Sequence, residues 1–203
     1  MKAYLISALL GYLLGCSSMA LYISKLKGVN ITKSGTGNLG ASNAMVLMGW
    51  GAGVLVAVHD IGKAVLASFL AKWLFPEAAY AGITAGAAST MGHMFPFYLR
   101  FKGGKGLASY FGMILAWNWK IALIVFAAGV VITLATNYIV IATVSIVLFF
   151  PIYLAFTAGW VPAVITAAVS LVMIWKHRVN FVRLKNGTEV GFRKANSGEL
   201  RVK

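Results

Sequence analysis

Three polar segments in an otherwise apolar chain carry the residues that could do chemistry. The first is Ser34-Gly35-Thr36-Gly37-Asn38-Leu39-Gly40-Ala41-Ser42-Asn43. Its closely spaced glycines let backbone N–H groups converge on an anion, and its Ser, Thr and Asn side chains add neutral donors. Residues 42 and 43 open a helix whose N-terminus favours negative charge. The run also satisfies G-x-G-x-x-G, which signals a dinucleotide only after a buried strand in a βαβ unit. Here it follows a membrane span, so the dinucleotide meaning is rejected and the anion-binding physics kept.

The second segment runs from Gly92-His93-Met94-Phe95-Pro96 to Arg100-Phe101-Lys102-Gly103-Gly104-Lys105-Gly106. It is not a Walker A loop, because Leu99 stands where that loop needs a glycine. Lys102 and Lys105 around a Gly pair nonetheless make a compact phosphate clamp, with point charges from Lys and close approach from Gly. His93 joins the candidates, since Pro96 frees a backbone carbonyl beside it. The third segment spans His177 to Glu189. If the last helix continues, His177, Asn180 and Arg183 share one face. Glu189 lies in cationic surroundings that keep it ionised. Within a span, Asp60 and Lys63 lie one turn apart with His59 beside them. They read equally as a functional pair or as a self-neutralising packing pair.

Composition fixes the setting of these segments. Of 203 residues 60% are hydrophobic and 11% charged, and eighteen Lys and Arg face four acids for a net charge of +14. A soluble domain carries about 25% charged residues, so this is an integral membrane protein. The acids are Asp60, Glu77, Glu189 and Glu199, no two fewer than ten residues apart. That excludes the carboxylate clusters of two-metal phosphotransferases and the close pair of glycosidases. One cysteine, Cys16, excludes an internal disulfide and a Cys-rich metal site. No metal and no cofactor is expected. Nucleic acid is set aside as a partner because the basic residues fall between apolar spans.

About 20 apolar residues cross a bilayer core. Residues 3–24 make the first crossing, a retained span rather than a signal peptide, whose apolar stretch would be shorter. A short interfacial helix follows near 42–50, then spans at 52–75 and 78–99. The stretch 107–136 is interrupted by Asn118-Trp119-Lys120 and reads as two helices. Spans at 138–157 and 160–176 complete seven transmembrane helices in an all-α fold. With the N-terminus out and the C-terminus cytoplasmic, fourteen of the eighteen basic residues share the cytoplasmic side, as the positive-inside tendency requires. Residues 1–191 form one transmembrane domain and 192–203 a basic cytoplasmic tail. Gly11/Gly15, Gly49/Gly53 and Gly82/Gly86 have helix-packing spacing.

Together the three segments resemble the acyl-phosphate-dependent glycerol-3-phosphate acyltransferases of bacteria, over nearly the whole chain to Glu189. The string Phe101-Lys102-Gly103-Gly104-Lys105-Gly106 after Gly92-His93 and Pro96 is the most specific part. His177-Arg178-Val179-Asn180 with Arg183-Leu184, Gly187 and Glu189 adds to it. The resemblance implies a multi-pass enzyme of the bacterial plasma membrane with a cytoplasm-facing site. It would move a fatty acyl group from acyl phosphate to glycerol 3-phosphate, giving 1-acyl-glycerol 3-phosphate and phosphate for phospholipid synthesis. Its partners would be those two substrates and the phospholipid bilayer. Both reactants are anionic, which suits a Lys- and Gly-rich pocket poor in acids. No histidine here is followed five residues later by Asp, so the His/Asp acyltransferase design is absent.

The expected assignment makes His177, Asn180, Lys105 and Glu189 the catalytic group. Ser34, Gly35, Thr36, Gly37, Asn38, Gly40, Ser42 and Asn43 bind one phosphate, and Lys102, Gly103, Gly104 and Lys105 the other. His93 and Arg183 complete the substrate contacts. Val46 stands where the family usually has an Arg, and Asn137, Val140 and Thr143 occupy another region where it tends to have Arg and Ser. The alternatives are a paralogue that acylates another phosphorylated acceptor and a small anion transporter.

Overall fold

In the computed structural model, residues 1–196 are described, and every regular element among them is helical. The first apolar run forms α1 (Lys2–Cys16) and α2 (Met19–Leu26), broken at Ser17 and Ser18. The expected first crossing over 3–24 is thus a helix pair that together is still long and apolar enough to span as one. The break is held because its freed groups find partners: Tyr98 Oη donates to the Cys16 carbonyl at 2.7 Å and Lys63 Nζ to the Ser17 carbonyl at 2.8 Å. Such satisfaction is what allows broken helices inside a bilayer.

The polar loop leads into α3 (Ala41–Met48), the expected short helix, and Gly49 at φ +92 turns the chain into α4 (Trp50–Leu74). Next, α5 (Ala81–Met94) ends well short of the expected residue 99. Pro96 forbids its continuation, and a single 3-10 turn, Phe97–Leu99, follows. The long stretch after the lysines divides as expected into α6 (Leu107–Trp117) and α7 (Trp119–Thr136). The Asn118 side chain causes the split by accepting the Lys120 and Ile121 N–H groups at 2.9 and 3.3 Å, a helix N-cap. Then come α8 (Ile139–Thr157), α9 (Trp160–Lys176), α10 (Arg178–Lys185) and α11 (Phe192–Asn196). The last long helix does not run straight on: α9 and α10 meet at His177 with a 46° bend.

Among the described residues, four helices are long and apolar enough to cross a membrane when α1 and α2 count together, and a fifth if α9 and α10 form one bent span. With 14 and 11 residues, α5 and α6 are shorter. Small residues bring the buried α5 against α1: the Ala85 and Ser89 backbones pack directly onto Gly11 and Gly15, leaving no room for a Cβ. Close backbone approach of this kind drives association where lipid removes the hydrophobic incentive. A second core joins α5, α6, α8 and α9 around Tyr110, Met113, Phe150, Leu154 and Met173. Its buried hydroxyl is satisfied by Ser170 at 2.9 Å from Tyr110 Oη. The outward faces of α1, α4 and α7 carry exposed Leu9, Val58, Phe69, Leu123 and Val131, as lipid contact requires. Glu199, Arg201 and Lys203 of the expected basic tail lie outside the described residues.

Candidate active site

The first polar loop is organised around one side chain. Asn43, at the start of α3 and 2% exposed, accepts the Thr36 N–H at Oδ1 (3.0 Å). Its Nδ2 donates to the carbonyls of Asn38, Ile31 and Ser34 at 3.0, 3.4 and 3.4 Å. Asn43 thus shapes the loop. Gly35 has φ +59, and a Cβ there would overlap Asn43 Oδ1, so both conformation and space demand glycine. The folded loop leaves Ser34, Thr36, Asn38, Gly40 and Ser42 lining a cavity of about 880 Å³ at the positive end of α3.

The second segment turns back on α5. Gly103 N–H donates to the Met94 carbonyl and Gly104 N–H to the His93 carbonyl, both at 3.1 Å. Gly104 packs against the His93 ring with no room for a Cβ. This pinning separates the two lysines. Lys105 lines the cavity, whereas Lys102 is exposed and outside it. The two lysines expected to act together as a clamp are thus parted, with Lys105 at the cavity and Lys102 away from it. Gly103, Gly104 and Gly37 shape the walls and do not line the cavity themselves.

Lys105 Nζ donates to Asn180 Oδ1 at 2.5 Å, and Asn180 Nδ2 donates to Glu189 Oε1 at 2.6 Å. These contacts join segments 75 and 9 residues apart. Burial pushes the Lys105 ammonium below the ordinary lysine value, and the Glu189 charge offsets part of that shift. Glu189 Oε2 is buried with no hydrogen-bond partner among the described residues. His177 lines the same cavity, with Nδ1 2.8 Å from the Met173 carbonyl. A carbonyl can only accept, so Nδ1 carries the proton and Nε2 the lone pair. Burial pushes the His177 pKa down to about 4, against the Met173 bond and with help from the charges of Lys105 and Lys176. Arg183 and His93 also line the cavity.

Away from these groups the cavity continues between α6, α7 and α8 along Phe111, Phe126, Val130, Ile139, Val140 and Ile146. Sequence reasoning missed this arm. The helices that form it are apolar on all sides, so no periodicity marks the faces that line it. Its α7 residues Phe126, Val130 and Leu134 are exposed and line this arm.

A polar, cationic end continuous with an apolar arm suits an amphipathic phosphate substrate. Comparison with known proteins agrees. The family model described as Glycerol-3-phosphate acyltransferase matches residues 5–187. The chain belongs to the glycerol-3-phosphate acyltransferase family. Glycerol-3-phosphate acyltransferase 1 of Oceanobacillus iheyensis is 38% identical over 189 residues, covering 89% of this chain and 91% of that protein. The crystal structure of PlsY (YgiH), an integral membrane glycerol 3-phosphate acyltransferase, in its glycerol 3-phosphate form superposes with a TM-score of 0.86. It is 32% identical and covers 93% of this chain and 95% of that one. The lysophosphatidic acid form of the same protein gives 0.84 at 31% identity, with coverage of 95% and 97%. The chain is thus a membrane acyltransferase. In this acyltransferase, Met45, Val46, Val140 and Thr143 all line the cavity.

Proposed function

We propose that this chain transfers a fatty acyl group from acyl phosphate to glycerol 3-phosphate at the cavity described above. The observation that carries the reading is the Lys105–Asn180–Glu189 chain at the polar end of a cavity whose other arm is apolar. The glycerol hydroxyl oxygen forms a bond to the acyl carbon, and the bond from that carbon to the phosphate oxygen breaks. The hydroxyl proton ends on the released phosphate. Phosphate is a good leaving group, so stabilising its developing charge supplies much of the rate. Lys105 serves that purpose, with N–H groups of the Ser34–Ser42 loop and the α3 N-terminus on the second phosphate. His177 and Asn180 orient the acceptor, and Glu189 Oε2 accepts its hydroxyl hydrogen bond. Arg183 adds positive charge at the same end.

Seven membrane-crossing segments follow if α5, α6 and α9 each span. The N-terminus is then outside, and the site faces the cytoplasm of a bacterial plasma membrane. The lysine- and arginine-bearing loops on the site's side support this orientation. Residues 1–191 are the acyltransferase unit and 192–203 a basic segment after it. Met45 and Val46 on the cavity wall favour a second reading, in which the acceptor is a different phosphorylated alcohol. Purified protein with palmitoyl phosphate tests both readings. Phosphate release that depends on glycerol 3-phosphate supports the first, and release only with another phosphorylated alcohol supports the second. Anion flux in liposomes without acyl transfer overturns both.

A further inference from the structure

The acyl-transfer scheme leaves one buried polar cluster unused. Asp60 and Lys63 lie one turn apart on α4 and are 2% and 6% exposed. An ion pair at such depth is costly, and apolar residues of similar volume commonly replace one without loss of stability. Its value is therefore sought in what it touches. Lys63 Nζ reaches three acceptors: Asp60 Oδ1 at 2.8 Å, the Ser17 carbonyl at 2.8 Å and His93 Nδ1 at 3.0 Å. An ammonium has three N–H bonds, so all are spent. With Lys63 Nζ donating to it at 3.0 Å, His93 Nδ1 accepts; an N–H on that atom would meet only Asp60 Oδ1, at the longer 3.3 Å. The proton of the neutral ring sits on Nε2. That atom packs against Gly104, where a side chain on the glycine would otherwise lie. Gly104 N–H is bonded to the His93 carbonyl, so ring and backbone of one residue grip the turn that carries Lys105.

We propose that Asp60 and Lys63 are positioning residues for acyl transfer, holding His93 in the Nε2–H tautomer and so presenting a neutral donor at the phosphate-binding turn. The inference rests on the reading that this cavity binds phosphate substrates. Asp60 neutralises the buried lysine, and Lys63 fixes the ring. His59, whose Nδ1 is 3.5 Å from Asp60 Oδ1, is bound through Nε2 to the Ser17 hydroxyl at 3.0 Å and braces the cluster from the helix break. Without Lys63, the His93 proton moves to Nδ1 to face Asp60 Oδ1, 3.3 Å away. Nε2 then presents a lone pair to the turn, which repels an anion.

The test combines nitrogen-15 NMR of histidine-labelled, full-length protein in detergent with kinetics on Lys63→Met and the paired Asp60→Leu/Lys63→Met variant. The chain has three histidines, so His59→Gln and His177→Gln assign the spectrum. His93 is expected to be protonated at Nε2 in the wild type and at Nδ1 in Lys63→Met. Lys63→Met should raise the KM for the phosphate substrates about tenfold, with a smaller change in kcat. The paired variant carries no uncompensated charge, so it folds even where the single variant does not, and its KM rises as well. A wild-type His93 protonated at Nδ1 overturns the proposal. So does a paired variant whose KM stays within about twofold of wild type. Wild-type protein inactive with palmitoyl phosphate and glycerol 3-phosphate would refute the functional reading, whereas the tautomer is read independently of turnover.

Discussion

The polar end of the cavity and its apolar arm are built on opposite principles. At the polar end each group is fixed by a named partner: Asn43 by four loop contacts, Lys105 by Asn180, Asn180 by Glu189, and Nδ1 of His177 by Met173. Along the arm, Phe111 and Phe126 pair ring to ring at 5.9 Å and Val130 and Ile146 are aliphatic, so packing, shape and apolarity define the space. Directional sites fail when one partner is lost, because the other is left buried and unsatisfied. Apolar arms yield gradually, in proportion to the surface filled or exposed. Mutations at the two ends should therefore differ in size and in kind.

The largest effect is expected at Lys105. Lys105→Ala removes the one lysine ammonium that lines the cavity among the described residues. It also leaves Asn180 Oδ1 without its donor. Loss of one preorganised donor to a developing oxyanion costs on the order of 10²–10³ in kcat. Phosphate release from palmitoyl phosphate should fall by that factor, while Lys102→Ala, outside the cavity, stays close to wild type. Near-normal turnover in Lys105→Ala would remove the lysine from the mechanism and erase the contrast between the two ends.

A smaller, graded effect is expected in the arm. Gly129 is buried on the cavity wall of α7, and a Cβ there meets only the tip of Ile146, 3.2 Å away. Gly129→Val fits once that flexible tip shifts by a few tenths of an ångström, and it fills part of the arm. Each methylene it displaces should cost about 0.8 kcal/mol, or about fourfold. Turnover of palmitoyl phosphate should drop relative to octanoyl phosphate, whose short chain leaves the deeper arm empty. Equal losses for both chains would mean that the arm does not hold the acyl group.

The same contrast explains what the sequence made legible. The Gly-rich loop, the Gly103-Gly104-Lys105 turn and the His177–Glu189 segment were recognisable because their residue types are rare among apolar spans. The division of 107–136 was readable at Asn118, which caps a helix by its own side chain. The apolar arm was not readable, since α7 and α8 are apolar all round. Two polar features were also hidden. The break at Ser17 depends on Lys63 and His59, more than forty residues away in the chain. The opposite fates of Lys102 and Lys105 depend on which carbonyls of α5 receive the glycine N–H groups. Spacing within a segment cannot reveal either, because each is settled by a partner from another helix.

The subtlest test acts within the polar end. Burial lowers the Lys105 pKa and Glu189 raises it, so the charge on Lys105 depends on a residue that an uncharged amide can replace. In the proposed function it is protonated Lys105 that binds phosphate, so activity should be present below its pKa and lost as pH rises through it. That alkaline limb should lie below the ordinary lysine value. Glu189→Gln keeps an acceptor for Asn180 Nδ2 but removes the negative charge, so the limb should move to lower pH. Lys105→Arg should move it upward, since guanidinium stays charged throughout the range. A pH–rate profile of phosphate release for the three proteins gives the order directly. If Glu189→Gln leaves the limb in place, the two residues are joined only through Asn180, and the field at the polar end comes from the loop N–H groups and Arg183 instead.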